Sequence, residues 1–213
     1  MQSWGTRSRF EYRDTWPYPT KSGVVGLLAA ALGRDRKEDI ADLAALRMGV
    51  RVDRKGVLKV DYQTARQVIA ADLKGLRDVQ SWRYFLADAA FLVGLEGEGE
   101  VLEKAHRALA NPRLPLYLGR KAYVPSPPPY LPNGLVDLPL EQALKSYPFL
   151  VAESPQGDFL LVLETQVGRL VYDQPAGPFS ERRFAARYVE EQWVSCHEVP
   201  QGPPEWEVAH VDE

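Results

Sequence analysis

The strongest feature of the hydrophobic pattern is an apolar run that extends from Val24 to Leu32. Thr20 or Ser22 can cap its N-terminal end, and Gly33 can adopt the left-handed conformation that ends a helix. The run is too short to cross a bilayer, which requires about 20 apolar residues. The pattern therefore predicts a buried helix between those two caps.

The rest of the chain alternates between helical and strand-like patterns. Residues 48–52 and 58–62 each alternate apolar and polar side chains around a turn at 53–56, which predicts a hairpin. Residues 64–82 lack a clear apolar face and predict either an excursion from the body or a disordered surface loop. The remaining predicted elements are helices at 39–46, 101–109 and 140–147 and strands at 84–95, 116–124, 159–164, 169–172 and 188–194.

The start of the apolar helix combines Lys21, Ser22 and Gly23. Free backbone N–H groups, the positive end of the helix dipole and an ammonium group would converge there, which suits a phosphate. The spacing does not match a P-loop, so nucleotide hydrolysis is not indicated. The residues alone leave two interpretations open, a phosphate site and a core helix with an ordinary cap.

The segment before this helix mixes aromatic and cationic side chains without a clean period. Rings for stacking and cations for the backbone are what a single-stranded nucleic-acid surface uses. The alternative is a loop held to the core by its aromatic side chains. The residues concerned are Trp4, Arg7, Arg9, Phe10, Tyr12, Arg13, Trp16 and Tyr18.

Composition is typical of a globular protein of the reducing cytoplasm. The chain has 213 residues and one cysteine, Cys196, which excludes an internal disulfide. No apolar run reaches membrane length, and the three scattered histidines predict no metal site and no cofactor. A Pro-rich connector at 125–130 predicts a boundary between residues 1–125 and a β-rich C-terminal region at 126–213, with a mobile tail from Gln201.

Charge is distributed unevenly along the chain. The net charge of −3 divides into +6 for residues 1–125 and −9 for residues 126–213. Arginine outnumbers lysine 18 to 8, and arginine both binds phosphate bidentately and stacks on bases. The asymmetry predicts a polyanionic partner for the N-terminal part only.

Three ordered blocks of sequence resemble the CasD family of CRISPR-associated proteins, a branch of the RAMP superfamily. The blocks are residues 1–33, which include MQSWG at 1–5 and the apolar helix, then 80–89 (QSWRYFLADA) and 112–121 (PRLPLYLGRK). The resemblance covers most of residues 1–125 and is loose in the C-terminal third.

The resemblance implies an α+β fold with a ferredoxin-like, RRM-like RAMP domain. It also implies that the excursion is an inserted thumb hairpin at about 62–83, which touches guide RNA and a neighbouring backbone subunit. The usual first strand, which precedes MQSWG in relatives, is absent from this sequence. Losing a central strand would leave backbone N–H and C=O groups unpaired, so we expect that restoring it raises thermal stability.

The same resemblance implies a non-catalytic RNA-binding subunit of Cascade, the type I-E surveillance complex. Such a subunit holds the 5′ handle of the guide crRNA, contacts the backbone and large subunits, and meets target DNA only through the complex. With the residue chemistry, this predicts RNA contacts at Gln2, Ser3, Trp4, Arg9, Arg13, Lys21, Ser22, Gly23, Arg66, Gln67, Arg120 and Lys121.

The alternative function is a metal-independent endoribonuclease. Some relatives cut precursor guide RNA with a Tyr and a Lys-His pair near this position, but here Lys121 is followed by Ala122. Attack by a 2′-hydroxyl needs a base, an acid and a charge stabiliser, and no histidine lies within ten residues of Lys121. The sequence therefore predicts no RNA cleavage.

Overall fold

The computed structural model of the chain describes residues 1–6, 11–69, 75–151 and 157–199. Its helices are α1 (Lys21–Leu32), α2 (Ala41–Ala45), α3 (Gly99–Ala110) and α4 (Leu140–Ser146), followed by a 3-10 turn at Cys196–Glu198. Its strands are β1 (Tyr12–Arg13), β2 (Arg47–Arg54), β3 (Val57–Ile69), β4 (Leu76–Ala87), β5 (Ala90–Glu96), β6 (Asp158–Thr165), β7 (Arg169–Pro175) and β8 (Phe184–Ser195). The fold is α+β.

The larger sheet has five antiparallel strands in the order β5-β2-β6-β8-β7. Val50 in β2 aligns with Val93 of β5 on one side and with Val162 of β6 on the other. Strands from the C-terminal region thus extend the sheet that β2 and β5 begin, so the Pro-rich connector joins two parts of one sheet. Within the described residues, β5 pairs on one side only.

Helices cover both faces of this sheet. On one face, Leu140 and Leu144 of α4 pack with Phe159 and the neighbouring leucines of β5 and β6. A Cβ on Gly49 or on Gly94 would lie 2.6 Å from a leucine methyl group of α4, so the two glycines let this helix approach the sheet closely.

On the opposite face, α1 packs against the valines of β2 and β6. Val24 and Tyr18 meet Val50 and Val162 there, while Val25 and Leu28 turn toward α2 and α3. Because α1 is covered on several sides, it can be apolar around most of its circumference. Thr20 caps the helix by accepting from the Gly23 N–H, and Gly33 ends it at φ +77°. The predicted helix and its caps are confirmed.

One sequence prediction about strand pairing is wrong. The strands at 48–52 and 58–62 do not form a hairpin, because β2 pairs with β5 and β6 while β3 pairs with β4. Gly56, at φ +71°, turns the chain away from the larger sheet between β2 and β3. A second turn at Asp88, with φ +57°, divides the predicted strand at 84–95 into β4 and β5. Residues 116–124 form no strand.

The second sheet is a three-stranded ribbon in the order β1-β4-β3, called the ribbon below. The long strands β3 and β4 pair from Val57 with Ala87 to Ile69 with Leu76, and β1 adds Tyr12 beside Trp82. Almost every residue of β3 is exposed, so the ribbon presents both of its faces to solvent. For residues 64–82 the sequence allowed two interpretations, an excursion from the body or a disordered surface loop. The described residues of that segment belong to β3 and β4, apart from Gly75.

Candidate nucleic-acid interface

Lys21, at the start of α1, is a buried residue. Its ammonium Nζ lies 2.9 Å from both carboxylate oxygens of Glu164 on β6, and the residue is 1% exposed. Burial lowers the pKa of Lys21, and the hydrogen bond to the Glu164 carboxylate opposes that shift. This ammonium is neutralised inside the protein and does not reach solvent.

The N-terminus of α1 also holds an internal anion. The Lys21 N–H donates to Oδ2 of Asp173 on β7 at 2.8 Å, and Arg187 of β8 donates to the same carboxylate at 2.6 and 3.0 Å. A helix N-terminus attracts negative charge, and here a carboxylate of the chain supplies it. The predicted phosphate contact of Lys21 is therefore wrong, because carboxylates of the chain bind both its ammonium group and its N–H. Ser22 and Gly23 are half-buried, and their contacts with RNA stay predictions.

Gly23 serves packing at this end of the helix. A Cβ on Gly23 would lie 2.8 Å from Cε3 of Trp4, so the absence of a side chain gives the indole its place. Trp4 is 4% exposed, and its Nε1–H donates to Oε1 of Gln2 at 3.1 Å.

The segment from Gln2 to Trp4 is bound to the body along its length. Gln2 exchanges two backbone hydrogen bonds with Leu86 of β4, at 2.9 and 2.8 Å. The hydroxyl of Ser3 donates to the Tyr84 carbonyl at 3.2 Å, and Ser3 is buried. The prediction that Ser3 and Trp4 line an RNA path is thus wrong, since both side chains face the interior. Gln2 is half-buried and its contact with RNA stays a prediction.

Arg120 and Arg13 come together at the base of the ribbon. Arg120 donates to the carbonyl oxygen of Arg13 at 3.0 Å, and its guanidinium lies 5.8 Å from the ring centroid of Tyr123. Gly119 makes this possible: it has φ +90°, and a Cβ there would overlap the carbonyl oxygen of Ser3. The side chains of Arg13 and Lys121 are exposed. The predicted pair at 120–121 therefore borders the predicted cation at 13.

One face of the ribbon carries cations. Arg13 aligns with Arg83, and Arg83 aligns with Asp61, so these three side chains share a face with Lys59, two residues from Asp61. We call this side the cationic face. Asp61 accepts a hydrogen bond from the Gln63 amide. Sequence reasoning missed Lys59 and Arg83, because only the strand register places them beside Arg13.

The cations of the ribbon differ from those of the larger sheet in their partners. Each of the five arginines in the five-stranded sheet forms a salt bridge with a carboxylate; they are Arg47, Arg51, Arg54, Arg169 and Arg187. Within the described part of the chain, the five cations of the ribbon form no salt bridge; they are Arg13, Lys59, Arg66, Arg77 and Arg83. The positive charge of the ribbon is therefore available to an external anion.

The opposite side of the ribbon, called the aromatic face, carries Tyr12, Trp82 and Tyr62 in one row across the three strands. The rings of Tyr12 and Trp82 stack with centroids 5.0 Å apart and planes 10° from parallel. Tyr62 lies 5.3 Å from Trp82 at a tilt of 54°. The alternation in β3 could have placed Tyr62 on a face, but its neighbours depend on the register.

Two of the remaining predicted residues lie toward the far end of the ribbon. Arg66 and Gln67 are exposed in β3, and the Gln67 N–H donates to Asp78 of β4 at 2.8 Å. Gln67 has φ +50°, which belongs to an irregularity in the pairing of β3 with β4. Arg9 lies outside the described residues, as does the predicted tail from Gln201.

Comparison with known proteins assigns the chain to a family. Residues 1–190 match the model of the family described as CRISPR-associated protein (Cas_Cas5). The chain belongs to this Cas5 family. The curated relative "CRISPR system Cascade subunit CasD" from Escherichia coli (strain K12) is 33% identical over 139 residues. That match covers 57% of this chain and 62% of the relative, so it spans less than two thirds of that protein.

Two solved structures agree with the Cas5 assignment over nearly the whole chain. One, described as "Crystal structure of Cas protein", is 68% identical with a TM-score of 0.82, and the match covers 95% of this chain and 94% of that one. The other, described as "CRISPR RNA-guided surveillance complex", is 31% identical with a TM-score of 0.73, covering 96% and 90%. The resemblance inferred from the sequence is confirmed.

Two further properties bear on the kind of site. In the parts of the chain that the structure covers, none of the helices has both the length and the apolar character needed to cross a bilayer. The described residues also contain no cluster of three His, Cys, Asp or Glu side chains that could hold a metal ion.

Proposed function

We propose that this Cas5 chain is a non-catalytic RNA-binding subunit of a type I-E CRISPR surveillance complex, Cascade, and acts in the cytoplasm. Its likeness to the Cascade subunit CasD and to a chain of an RNA-guided surveillance complex supports this. The observation that carries the proposal is the ribbon, with a row of aromatic rings and five cations that form no salt bridge to any described carboxylate. Charge and rings together suit single-stranded nucleic acid.

In this proposal the chain holds the 5′ handle of the guide crRNA against the cationic face. Arg13, Arg83 and Lys59 would meet phosphates there, with Arg120 and Lys121 at the base of the ribbon. Arg120 already orients Arg13 through its backbone, and Lys121 is exposed beside it. Arg66, Gln67 and Arg9 stay in the proposal as outer contacts, and Gln2 as an inner one.

We further propose that the ribbon is the thumb of a ferredoxin-like Cas5 domain. The exposed strand β3 and its partner β4, which project from the larger sheet between β2 and β5, support this assignment. The exposed thumb would contact a backbone subunit, and the body would contact the large subunit of the complex. Target DNA would be met only through the assembled complex.

The proposal excludes endonucleolytic chemistry for this chain. Lys121 makes no hydrogen bond or ion pair within the described residues, and its neighbours in sequence, Arg120 and Ala122, are not proton carriers at neutral pH. His106 of α3 lies 5.0 Å from the ring of Tyr130, in a contact between rings. These features favour a binding role for Lys121.

Equilibrium binding of a synthetic RNA that carries the repeat-derived 5′ handle tests the proposal. The double variant Arg13→Ala/Arg83→Ala should weaken binding about tenfold or more, equivalent to about 1.4 kcal/mol. Because each lost phosphate contact on a single strand changes the slope of log K against log salt by about 0.7, the slope should fall by about 1 to 1.5.

A matched control is Arg54→Ala. Arg54 is an exposed arginine of the larger sheet, and Asp88 already neutralises it at 2.7 Å. Its removal should change RNA affinity less than twofold. Equal effects of the two variants, or RNA binding that is insensitive to salt, would refute the proposed site.

A further inference from the structure

The aromatic rings of the ribbon form a column that is open at one end. Tyr12 and Trp82 stand side by side on adjacent strands and stack nearly parallel, 5.0 Å apart. Their stacking uses one face of each ring. Tyr62, on the far side of Trp82, is tilted by 54° and does not continue the stack.

The open end is the outer face of Tyr12. Strand β1 is the edge of the ribbon, so among the described residues no further strand covers that side of the ring. Tyr12 is 58% exposed, and among the described residues Trp82 is the only ring that contacts it. An aromatic ring that is fixed on one side and open on the other gains most from a second flat partner.

The strands that carry the column also carry the cationic face, and their charge indicates the chemistry of that partner. The strands of the ribbon contain five Lys or Arg residues and two Asp residues, a net charge of +3. Asp61 accepts a hydrogen bond from the Gln63 amide, and Asp78 accepts one from the Gln67 N–H. The five cations form no salt bridge within the described residues. A flat partner that also carries negative charge is a nucleotide, and this favours RNA over an apolar protein segment.

We infer that the outer face of Tyr12 stacks on one unpaired base of the bound RNA. The base extends the column formed by Tyr12 and Trp82 on the aromatic face. Because β1 is the edge strand, the backbone of the same RNA can pass around this edge to the exposed cation Arg13, the next residue, which belongs to the cationic face. Trp82 holds the tyrosine ring upright, so it acts as a positioning residue. This inference rests on the proposed RNA-binding function and assigns one of its contacts to a named side chain.

A scan with abasic nucleotides tests the inference. The probe is the synthetic handle RNA, with the base removed at one position at a time, and the full chain is titrated with each RNA. At one position, loss of the base should weaken binding to the wild-type chain about tenfold. The same abasic RNA should bind Tyr12→Ala within twofold of the intact RNA, because the stacking partner is already missing.

Three variants make the result specific to the ring. Tyr12→Phe keeps the ring and should retain affinity within about twofold, whereas Tyr12→Ala and Tyr12→Leu should each lose about tenfold. Tyr172→Ala is the matched control, since Tyr172 is 65% exposed on β7 of the other sheet, and it should have no effect. Thermal melting checks that each variant folds. If Tyr12→Ala does not fold, Tyr12→Leu replaces it in the binding experiments.

The outcomes separate the inference from the function on which it rests. If the wild-type chain binds handle RNA with a steep salt dependence but no abasic position is coupled to Tyr12, the inference is wrong and the function stands. If Tyr12→Ala keeps its RNA affinity but no longer joins the other subunits, a protein occupies the ring and the inference is wrong. If the wild-type chain binds no RNA, both fail.

Discussion

The ammonium group of the buried Lys21 and the half-buried carboxylate of Glu164 form an ion pair between residues 143 positions apart in the chain. The pair joins the first turn of α1 to β6, and Arg187 of β8 approaches the same carboxylate at 3.4 Å. Together with Asp173, these side chains fix the N-terminus of α1 against the C-terminal strands. The position that the sequence predicts as a phosphate site is therefore a contact that holds α1 against the C-terminal strands of the larger sheet.

Replacing Lys21 tests this structural role. Lys21→Met should lower the free energy of unfolding by about 3 kcal/mol, since it leaves the Glu164 carboxylate with only the more distant cation of Arg187, at 3.4 Å. RNA affinity, measured well below the melting transition, should stay within twofold. Urea denaturation gives the first quantity and equilibrium RNA binding gives the second.

A companion variant sharpens the comparison. Lys21→Met combined with Glu164→Gln removes both charges of the pair and should recover part of the lost stability. Loss of RNA affinity in a Lys21→Met protein of normal stability would contradict the structural assignment and restore the phosphate site.

Gly119 is the position where the backbone near Arg120 tolerates no side chain. Gly119→Ala would place a Cβ against the carbonyl oxygen of Ser3 at φ +90°, so either the 119–120 turn or the N-terminal segment must move. We expect a loss of about 3 kcal/mol in the free energy of unfolding, from backbone strain and overlap combined. RNA affinity should fall as well, because Arg120 would no longer hold Arg13.

Gly99→Ala is the matched control for this prediction. Gly99 is the first residue of α3, and a Cβ there meets no atom within 4 Å. Thermal denaturation should show it unchanged or slightly more stable. Equal melting temperatures for Gly119→Ala and wild type would show that the turn adapts freely.

Local sequence patterns predict the helices and strands that depend mainly on neighbouring residues. The apolar run with Thr20 before it and Gly33 after it predicted α1 and both of its caps. Short segments bounded by predicted turns at 156–158 and 175–178 predicted the C-terminal strands, which are β6, β7 and β8. These features depend on backbone preferences and periodicity, which neighbouring residues determine.

Pairing across the chain could not be predicted in this way. Alternation in 48–52 and 58–62 is similar, yet β2 is buried almost throughout and β3 is exposed. The carboxylate that neutralises Lys21 and the indole that stacks on Tyr12 come from strands 143 and 70 positions away. A cation's role as a ligand for RNA or as a structural ion depends on such a partner, which composition and spacing do not contain.

Glu96 should make the stability of the protein depend on acid pH. Hydrogen bonds from Arg47 and from the Leu140 N–H hold the pKa of this carboxyl below its ordinary value. A depressed folded-state pKa means that the stabilisation is present above the unfolded pKa of about 4.3 and is lost as pH falls through the folded value. Glu96→Gln should therefore cost about 1 kcal/mol at pH 7, a small value because Glu96 is partly exposed, and progressively less as the pH falls through the folded-state pKa.

Urea titrations of wild type and Glu96→Gln between pH 3 and pH 7 would measure this difference. Glu103→Gln on α3 is the control, since the one salt bridge that Glu103 forms within the described residues is an exposed pair with Arg107 at 3.6 Å. A constant difference between wild type and Glu96→Gln across that range would contradict the prediction.

Incubation with precursor guide RNA should leave that RNA intact. Cleavage by a 2′-hydroxyl needs a proton acceptor and a proton donor beside a charge stabiliser, and an exposed lysine next to Ala122 supplies only the last of these. A repeat RNA is incubated for hours with the purified chain and a metal chelator at neutral pH, and gel analysis should then show no cleavage product.

The variant Lys121→Ala should differ from wild type in RNA affinity alone. Its binding should be weaker by about fivefold, which corresponds to about 1 kcal/mol for one exposed charged contact. Cuts at one defined site that disappear in Lys121→Ala would instead make Lys121 a catalytic residue and assign this chain an endoribonuclease activity.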